Sequence, residues 1–195
     1  MLITNDFEVA QPVEKVWAFF DDIPQVAACL PGAELTENLG GDKYAGQVAV
    51  RMGPVRMQFG GTAEITERDA AARRVVVHAA GAEQKGRGQA TMVVTATLRG
   101  AGRGTRVDVR QDLQLSGAAA QYGRGMISDV TSVLMRDFAA TMQDRIERIE
   151  RGESAEQVAA SSATPASGLT LGLRAALLAL SRVFRRFFLP YQAAS

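Results

Sequence analysis

Apolar residues recur at steps of three and four between Ala118 and Glu150, and this spacing predicts one long amphipathic helix. A helix of about 30 residues is roughly 45 Å long. The apolar stripe has to pack against the chain that precedes it, and the opposite side carries Arg124, Asp129, Arg136, Asp144, Arg148 and Arg151. The stripe consists of Met126, Ile127, Val130, Val133, Leu134, Phe138, Met142, Ile146 and Ile149.

The chain before this helix alternates between apolar and polar residues, a pattern typical of strands with one buried face. A first strand is predicted over Leu2 to Ala10, with Ile3, Phe7 and Val9 as its larger apolar members. Five further strands are predicted over residues 43–52, 55–65, 74–80, 89–99 and 106–115. The pattern as a whole predicts an α+β fold in which an antiparallel sheet is followed by the long helix.

Two local features refine this picture. Gly60-Gly61 in mid-strand predicts a β-bulge that lets the sheet bend. Gln11-Pro12 opens a short helix, and residues 21–24 break it before one more helical turn over residues 25–30. The predicted buried stripe of the short helix is Val13, Val16, Trp17 and Phe20.

Composition and charge exclude several classes of protein. The 22 basic and 21 acidic residues nearly balance, which argues against nucleic-acid binding. The single cysteine, Cys29, excludes an internal disulfide and fits a reducing compartment. The N-terminus carries no basic segment followed by an apolar run, so no secretory signal is predicted and the cytoplasm is the expected compartment.

The chain divides into a domain over residues 1–151, a linker over 152–168 and a tail helix over 169–189. The linker contains too little apolar surface to order itself. The tail has arginines but no acidic residue, and one arginine near the centre of a spanning helix would cost about 2.5–3.5 kcal/mol. We therefore expect the tail to lie flat on a membrane surface, with docking on this domain or on a partner protein as the alternative. Its predicted membrane-binding residues are Leu173, Arg174, Leu177, Leu180, Arg182, Phe184, Arg185, Arg186, Phe187 and Phe188.

Several separated motifs within residues 1–150 resemble the G-subunit family of carbon monoxide dehydrogenase. They are residues 29–33 (Cys-Leu-Pro-Gly-Ala), 44–46 (Tyr-Ala-Gly), 53–55 (Gly-Pro-Val), 59–61 (Phe-Gly-Gly) and 138–140 (Phe-Ala-Ala). The resemblance implies a helix-grip, START-like fold, in which a curved antiparallel sheet of about seven strands wraps round a C-terminal helix with an internal cavity. It also implies that the protein recruits a molybdenum-containing carbon monoxide dehydrogenase to the inner face of the cell membrane and handles its quinone acceptor, menaquinone or ubiquinone.

The residues themselves give no signal of catalysis. The only histidine, His78, alternates onto the outer face of its strand, and the inward-facing strand positions include no Asp, Glu, His or Lys. One cysteine and one histidine cannot form the usual three- or four-ligand zinc site. We expect a non-enzymatic protein without a metal or a covalently bound cofactor. The alternatives are an assembly factor for the dehydrogenase that holds no ligand and an enzyme of the cyclase or hydratase kind.

A cavity between sheet and helix is the expected binding site for a hydrophobic small molecule. Many inward positions are small, and inward methionines tolerate varied ligands, although small residues also permit close packing of helix and sheet. Gln111 faces inward and needs a partner, which a quinone carbonyl, a backbone carbonyl or a buried water would each supply. Tyr44 and Tyr122 are further candidate donors. The predicted ligand-binding residues are Tyr44, Val48, Val50, Met57, Phe59, Met92, Val94, Gln111, Leu113, Tyr122, Met126, Val130 and Leu134.

Overall fold

The computed structural model describes residues 1–153. The predicted tail helix and the predicted linker beyond Glu153 lie outside these residues. The helices are α1 (Val13–Asp21), α2 (Ile23–Cys29) and α3 (Arg124–Glu150), and a short 3-10 helix over Gly117–Gln121 precedes α3. The strands are β1 (Leu2–Val9), β2 (Ala33–Gly40), β3 (Lys43–Met52), β4 (Val55–Asp69), β5 (Arg74–Glu83), β6 (Gln89–Ala101) and β7 (Gly104–Leu115).

The seven strands form one antiparallel sheet in the order β1-β7-β6-β5-β4-β3-β2. Strands β2 to β7 follow one another along the sheet, and β1 joins the far edge beside β7. Helix α3 packs mainly on β1 but also contacts β3 near the other edge. Because one straight element reaches both sides of the sheet, the sheet curves around it. The predicted α+β architecture is confirmed.

Strand β2 is the element that the residue pattern does not predict. It lies at the sheet edge, and its side chains are exposed apart from those of Ala33 and Leu35, which are half-buried. Its pairing with β3 is interrupted by two register shifts. An edge strand with so little buried surface has no alternating pattern by which to recognise it.

The core consists of two hydrophobic clusters at opposite ends of α3. The larger cluster joins β1, β6 and β7 to α1, α2 and the C-terminal half of α3, and Val16, Val107 and Met142 are completely buried in it. The smaller cluster lies where the 3-10 helix and the start of α3 meet β1 and the β3–β4 hairpin. Its buried members are Ile3, Met52, Met57, Ala119 and Ile127.

The sequence prediction for the helices needs two corrections. Helix α3 begins at Arg124 rather than Ala118, because a 3-10 turn fills the start of the predicted range. In α1, Phe19 is buried together with the predicted residues, whereas Trp17 is only partly buried against the larger cluster.

The predicted stripe of α3 is also wrong at three positions. Met126, Val133 and Ile149 are 43%, 49% and 38% exposed, so the face that contacts the domain is narrower than the apolar pattern. The buried face of the helix includes instead two polar residues, Thr131 and Arg145. The buried residues of the helix are Ile127, Thr131, Phe138, Met142, Arg145 and Ile146.

The predicted bulge at Gly60-Gly61 is wrong as well. Both glycines pair in continuous register with β3 and β5, and the irregularity of β4 lies between Ile65 and Glu67. Gly61 serves another purpose, because a Cβ atom there would lie 2.0 Å from the carbonyl oxygen of Ala80 on the adjacent strand. The glycine permits close approach of backbone rather than an extra residue in the strand.

Candidate ligand-binding site

The concave face of the sheet is apolar but incompletely covered by α3. Its inward positions have the same parity as the buried Met52, Met57 and Leu98, so they face the helix. Gly61, on this same face, is exposed. Between the two core clusters, the apolar face is therefore only partly covered in the described part of the chain. Ten of the predicted ligand-binding residues are half-buried there or beside it: Tyr44, Val48, Val50, Phe59, Met92, Val94, Leu113, Tyr122, Val130 and Leu134.

The other three predicted ligand-binding residues differ in their surroundings. Met57 is 1% exposed and belongs to the smaller cluster, and Gln111 is also buried. Met126 lies on the exposed side of α3, so the prediction that it packs inward is wrong. The apolar periodicity of a helix does not distinguish a buried flank from an exposed one when the contact face is narrow.

Part of the concave surface is bare backbone. Gly46, Gly61 and Gly81 pair with one another in register across β3, β4 and β5. The same row continues to Ala90 on β6. Three neighbouring strands thus contribute no side chain at this level.

Gln111 has a partner that the sequence does not reveal. Its side-chain amide donates to Oδ1 of Asn5 over 3.5 Å, and Nδ2 of Asn5 donates to Oγ of Ser132 over 3.0 Å. The Ser132 hydroxyl in turn donates to the backbone carbonyl of Ser128. This hydrogen-bonded chain joins β7, β1 and α3, so Gln111 links the sheet to the helix. Asn5 and Ser132 carry no sequence signal beyond their polarity.

The two candidate tyrosines differ from Gln111 in this respect. Neither the Tyr44 nor the Tyr122 hydroxyl hydrogen-bonds to another residue within 1–153, and both side chains are half-buried. They are the available hydroxyl donors among the predicted ligand-binding residues.

Two ionisable side chains lie in the interior, contrary to expectation. Strand β5 continues past its predicted end to Glu83, which has the inward parity and is 3% exposed. A hydrogen bond from the Arg87 guanidinium lowers the pKa of Glu83 to about 2; burial opposes this shift, and the backbone N–H groups of Arg87 and Lys85 add to it. The second group, Arg145 of α3, is completely buried.

An open groove of about 590 Å³ lies beside Glu83, where the β5–β6 hairpin meets the segment that follows β7. Arg87, Gly88, Ser116 and Gly117 contribute to its walls. None of the predicted ligand-binding residues lines it. Both carboxylate oxygens of Glu83 already accept hydrogen bonds from Arg87 and the hairpin backbone, so the groove presents no free acid.

Three further features considered from the sequence are a catalytic histidine, a metal site and a membrane-spanning helix. His78 is exposed on the outer face of β5, as predicted. Within residues 1–153, no three metal-ligating side chains cluster, and no helix is long and apolar enough to cross a membrane.

A curved antiparallel sheet of seven strands that wraps round one long helix at the end of the domain defines the helix-grip class of START-like proteins. Two solved structures share this fold. A conserved protein from Geobacillus kaustophilus has a TM-score of 0.67 at 21% identity, covering 76% of this chain and 96% of that chain. The aromatase/cyclase Zhui from Streptomyces sp. R1128 has a TM-score of 0.55 at 16% identity, covering 80% and 97%. These identities show the shared fold alone.

The sequence matches CoxG, the G-subunit family of carbon monoxide dehydrogenase, over residues 6–147, and the chain belongs to this family. The family's name associates its members with carbon monoxide dehydrogenase. A search of curated proteins found no match. Family and fold together support an accessory role in which the domain binds a ligand.

Proposed function

We propose that this protein binds a quinone between the sheet and α3 and couples a molybdenum carbon monoxide dehydrogenase to the membrane quinone pool. The observation that carries the proposal is the apolar concave face, whose side chains point inward but stay half-buried. A partly covered apolar face of this kind favours a hydrophobic molecule, because burying apolar surface from both partners is favourable. The protein supplies binding and position, and the bound quinone carries the electrons.

Few hydrogen-bond donors face the proposed quinone, which fits a molecule with only two carbonyl acceptors. The hydroxyls of Tyr44 and Tyr122 have no partner within residues 1–153. The amide of Gln111 already donates to Asn5, so in this proposal it holds the sheet to the helix and the tyrosines orient the ligand.

Attachment to the inner face of the membrane is assigned to the tail over residues 169–189. Its sequence supports this, because a helical wheel drawn from the sequence puts leucines and phenylalanines on one side and arginines on the other. The protein would then be cytoplasmic and peripheral.

The enzymatic alternative is less well supported by the interior of residues 1–153. Its buried carboxylate, Glu83, has a pKa of about 2 and both oxygens hydrogen-bonded, so it is a poor proton donor at neutral pH. The second alternative, an assembly factor with no ligand, predicts that quinone is never retained.

The proposal is tested by filling the space from one strand. Met92 faces inward on β6 between Ala79 and Leu113, and Val93 beside it faces outward. We expect Met92→Trp to reduce the quinone retained after incubation and gel filtration at least tenfold, whereas Val93→Trp retains as much as the wild type. Thermal unfolding verifies that both variants fold. Equal retention by both variants, or none by the wild type, would contradict the proposal.

A further inference from the structure

Arg145 is a buried cation whose hydrogen bonds are incomplete. Its side chain is 0% exposed, and Nη1 donates to Oε1 of Gln25 on α2 over 2.5 Å. Its Nε and Nη2 atoms are buried and have no acceptor within residues 1–153. A buried guanidinium without a compensating charge is strongly unfavourable, so this arrangement calls for an acceptor that the described residues do not provide.

The positions of the two unpartnered nitrogen atoms indicate which chemical group fits as the acceptor. On a guanidinium, the Nε–H and the outer Nη2–H bonds run parallel along one edge. That edge matches two oxygens of a carboxylate or a phosphate, which bind it in bidentate fashion. Gln25 accepts from Nη1 on the other side. The edge whose N–H groups lack a partner within residues 1–153 is therefore the one suited to an oxyanion.

The acidic residues nearest along the helix are engaged elsewhere. Asp144 lies 3.8 Å from Arg148, and Glu147 accepts a hydrogen bond from Gln143. Glu150 accepts hydrogen bonds from Lys15 and Gln11.

The neighbouring thiol does not supply the charge either. Cys29 is 1% exposed on α2, and its sulfur donates to the backbone carbonyl of Gln25. Burial raises the pKa of the Cys29 thiol to about 12, although the charge of Arg145 acts in the opposite direction. The thiol is therefore neutral at physiological pH.

We propose that Arg145, with Gln25 and Cys29 beside it, forms an oxyanion-binding site between α2 and α3. The site takes a carboxylate or phosphate group, supplied by a free anion or by the head of an amphiphilic molecule. It is separate from the quinone proposal, because it uses none of the predicted ligand-binding residues. Since Arg145 is completely buried, an anion can enter only if the surrounding structure opens.

The test measures thermal unfolding of the full chain in inorganic phosphate and in decanoate, with chloride at equal ionic strength and decanol as the uncharged control. The variants are Arg145→Met, and Arg136→Met at an exposed arginine of the same helix. At a hundredfold excess over the dissociation constant, we expect the melting temperature of the wild type and of Arg136→Met to rise by roughly 5–10 °C. Arg145→Met should show no rise, and in chloride it should be at least as stable as the wild type. A response to phosphate identifies a free anion, and a response to decanoate but not to decanol identifies an amphiphile.

A second measurement does not depend on the stability of a variant. The Nε–H signal of Arg145 in a proton–nitrogen NMR spectrum, assigned by its loss in Arg145→Lys, should shift on adding the active anion. The proposal is overturned if neither anion raises the melting temperature of the wild type. An equal rise in all three proteins, or an unmoved Nε–H signal, would overturn it too.

Discussion

Gly61 occupies a position at which any side chain would collide with the neighbouring strand. A Cβ atom there would lie 2.0 Å from the Ala80 carbonyl oxygen and 2.5 Å from Cα of Gly81. Both neighbours are backbone atoms, so neither can rotate away. The close approach of β4 and β5 therefore depends on this glycine.

We predict that Gly61→Ala lowers the free energy of unfolding by about 1–3 kcal/mol, the usual cost of overpacking. The matched control is Gly60→Ala, where no atom lies within 4 Å of the added methyl group. This control should leave stability unchanged or raise it by about 0.5 kcal/mol, because alanine restricts the unfolded strand more than glycine does. Urea denaturation measures both. Equal effects of the two substitutions would refute the account of Gly61.

Glu83 should make stability depend on acid pH. Its pKa is about 2 in the folded protein, against an unfolded value of about 4.3. The carboxylate therefore stabilises the fold above the unfolded pKa, and this contribution is lost as the pH falls from about 4.3 toward 2.

Glu83→Gln should accordingly be less stable than the wild type at pH 7, with a difference that shrinks steadily between pH 5 and pH 2. Glu64→Gln, at an exposed carboxylate 3.5 Å from Lys43, is the control and should show little change. Denaturation curves at a series of pH values measure the differences. If the stability difference between Glu83→Gln and the wild type were the same at pH 7 and pH 2, the charge of Glu83 would not contribute to stability.

Residue patterns alone predict some of these placements and miss others. Alternation on β5 correctly puts His78 outside, because period two holds through an uninterrupted strand. It misses Glu83 because the strand runs on through Gly81, where the apolar pattern ends. It misses Arg145 because a buried arginine looks like a surface residue in a sequence.

At the scale of elements, α3 is held by a few large contacts rather than by its whole apolar pattern. The ring of Phe138 meets that of Phe7 edge to face, with centroids 5.8 Å apart and an interplanar angle of 68°. Val133, which also belongs to the apolar pattern, is half exposed. The helix is therefore fixed to β1 mainly by its buried C-terminal half.

We predict that Phe138→Ala costs about 3–5 kcal/mol of stability, the usual cost of deleting a buried phenylalanine. Val133→Ala is the matched control and should change stability by less than about 0.5 kcal/mol, as surface substitutions do. Both values follow from chemical denaturation of the full chain. A larger loss at Val133 than at Phe138 would mean that α3 packs through its other flank.

The order and type of most elements can be predicted because each has a clear period. Strand β7 alternates without a break, and α3 shows a long run of three- and four-residue steps. Strand β2 cannot be predicted in this way, since it buries too few side chains to show an alternating pattern. The bulge in β4 is misplaced from the sequence because a mid-strand glycine pair indicates either an extra residue or close backbone approach, and only the pairing register distinguishes them.

At the scale of the whole molecule, the proposal assigns ligand binding to the domain and membrane attachment to the tail. A chain that ends at Gly168 should therefore bind vesicles of anionic lipid far more weakly than the full chain does. Replacing both Arg185 and Arg186 by alanine should weaken binding roughly 30-fold, at about 1 kcal/mol for each arginine near the surface. Sedimentation with vesicles at low and high salt measures this. Full binding by the shortened chain would place the membrane contact in the domain.

For the candidate site, strand parity predicts which face of the sheet meets the helix, because alternation along each strand fixes the side on which a residue lies. The partner of Gln111 cannot be predicted, since Asn5 and Ser132 come from distant parts of the chain. Long-range polar contacts of this kind leave no periodic trace in a sequence.

The most direct test of the account identifies what the domain carries. The full chain, expressed in cells that make quinone and purified without detergent, is extracted with organic solvent and analysed by mass spectrometry. We expect menaquinone or ubiquinone at a near-stoichiometric amount, and much less from the Met92→Trp variant purified in parallel. Wild-type protein that contains no quinone, even after incubation with quinone-bearing membranes, would contradict it.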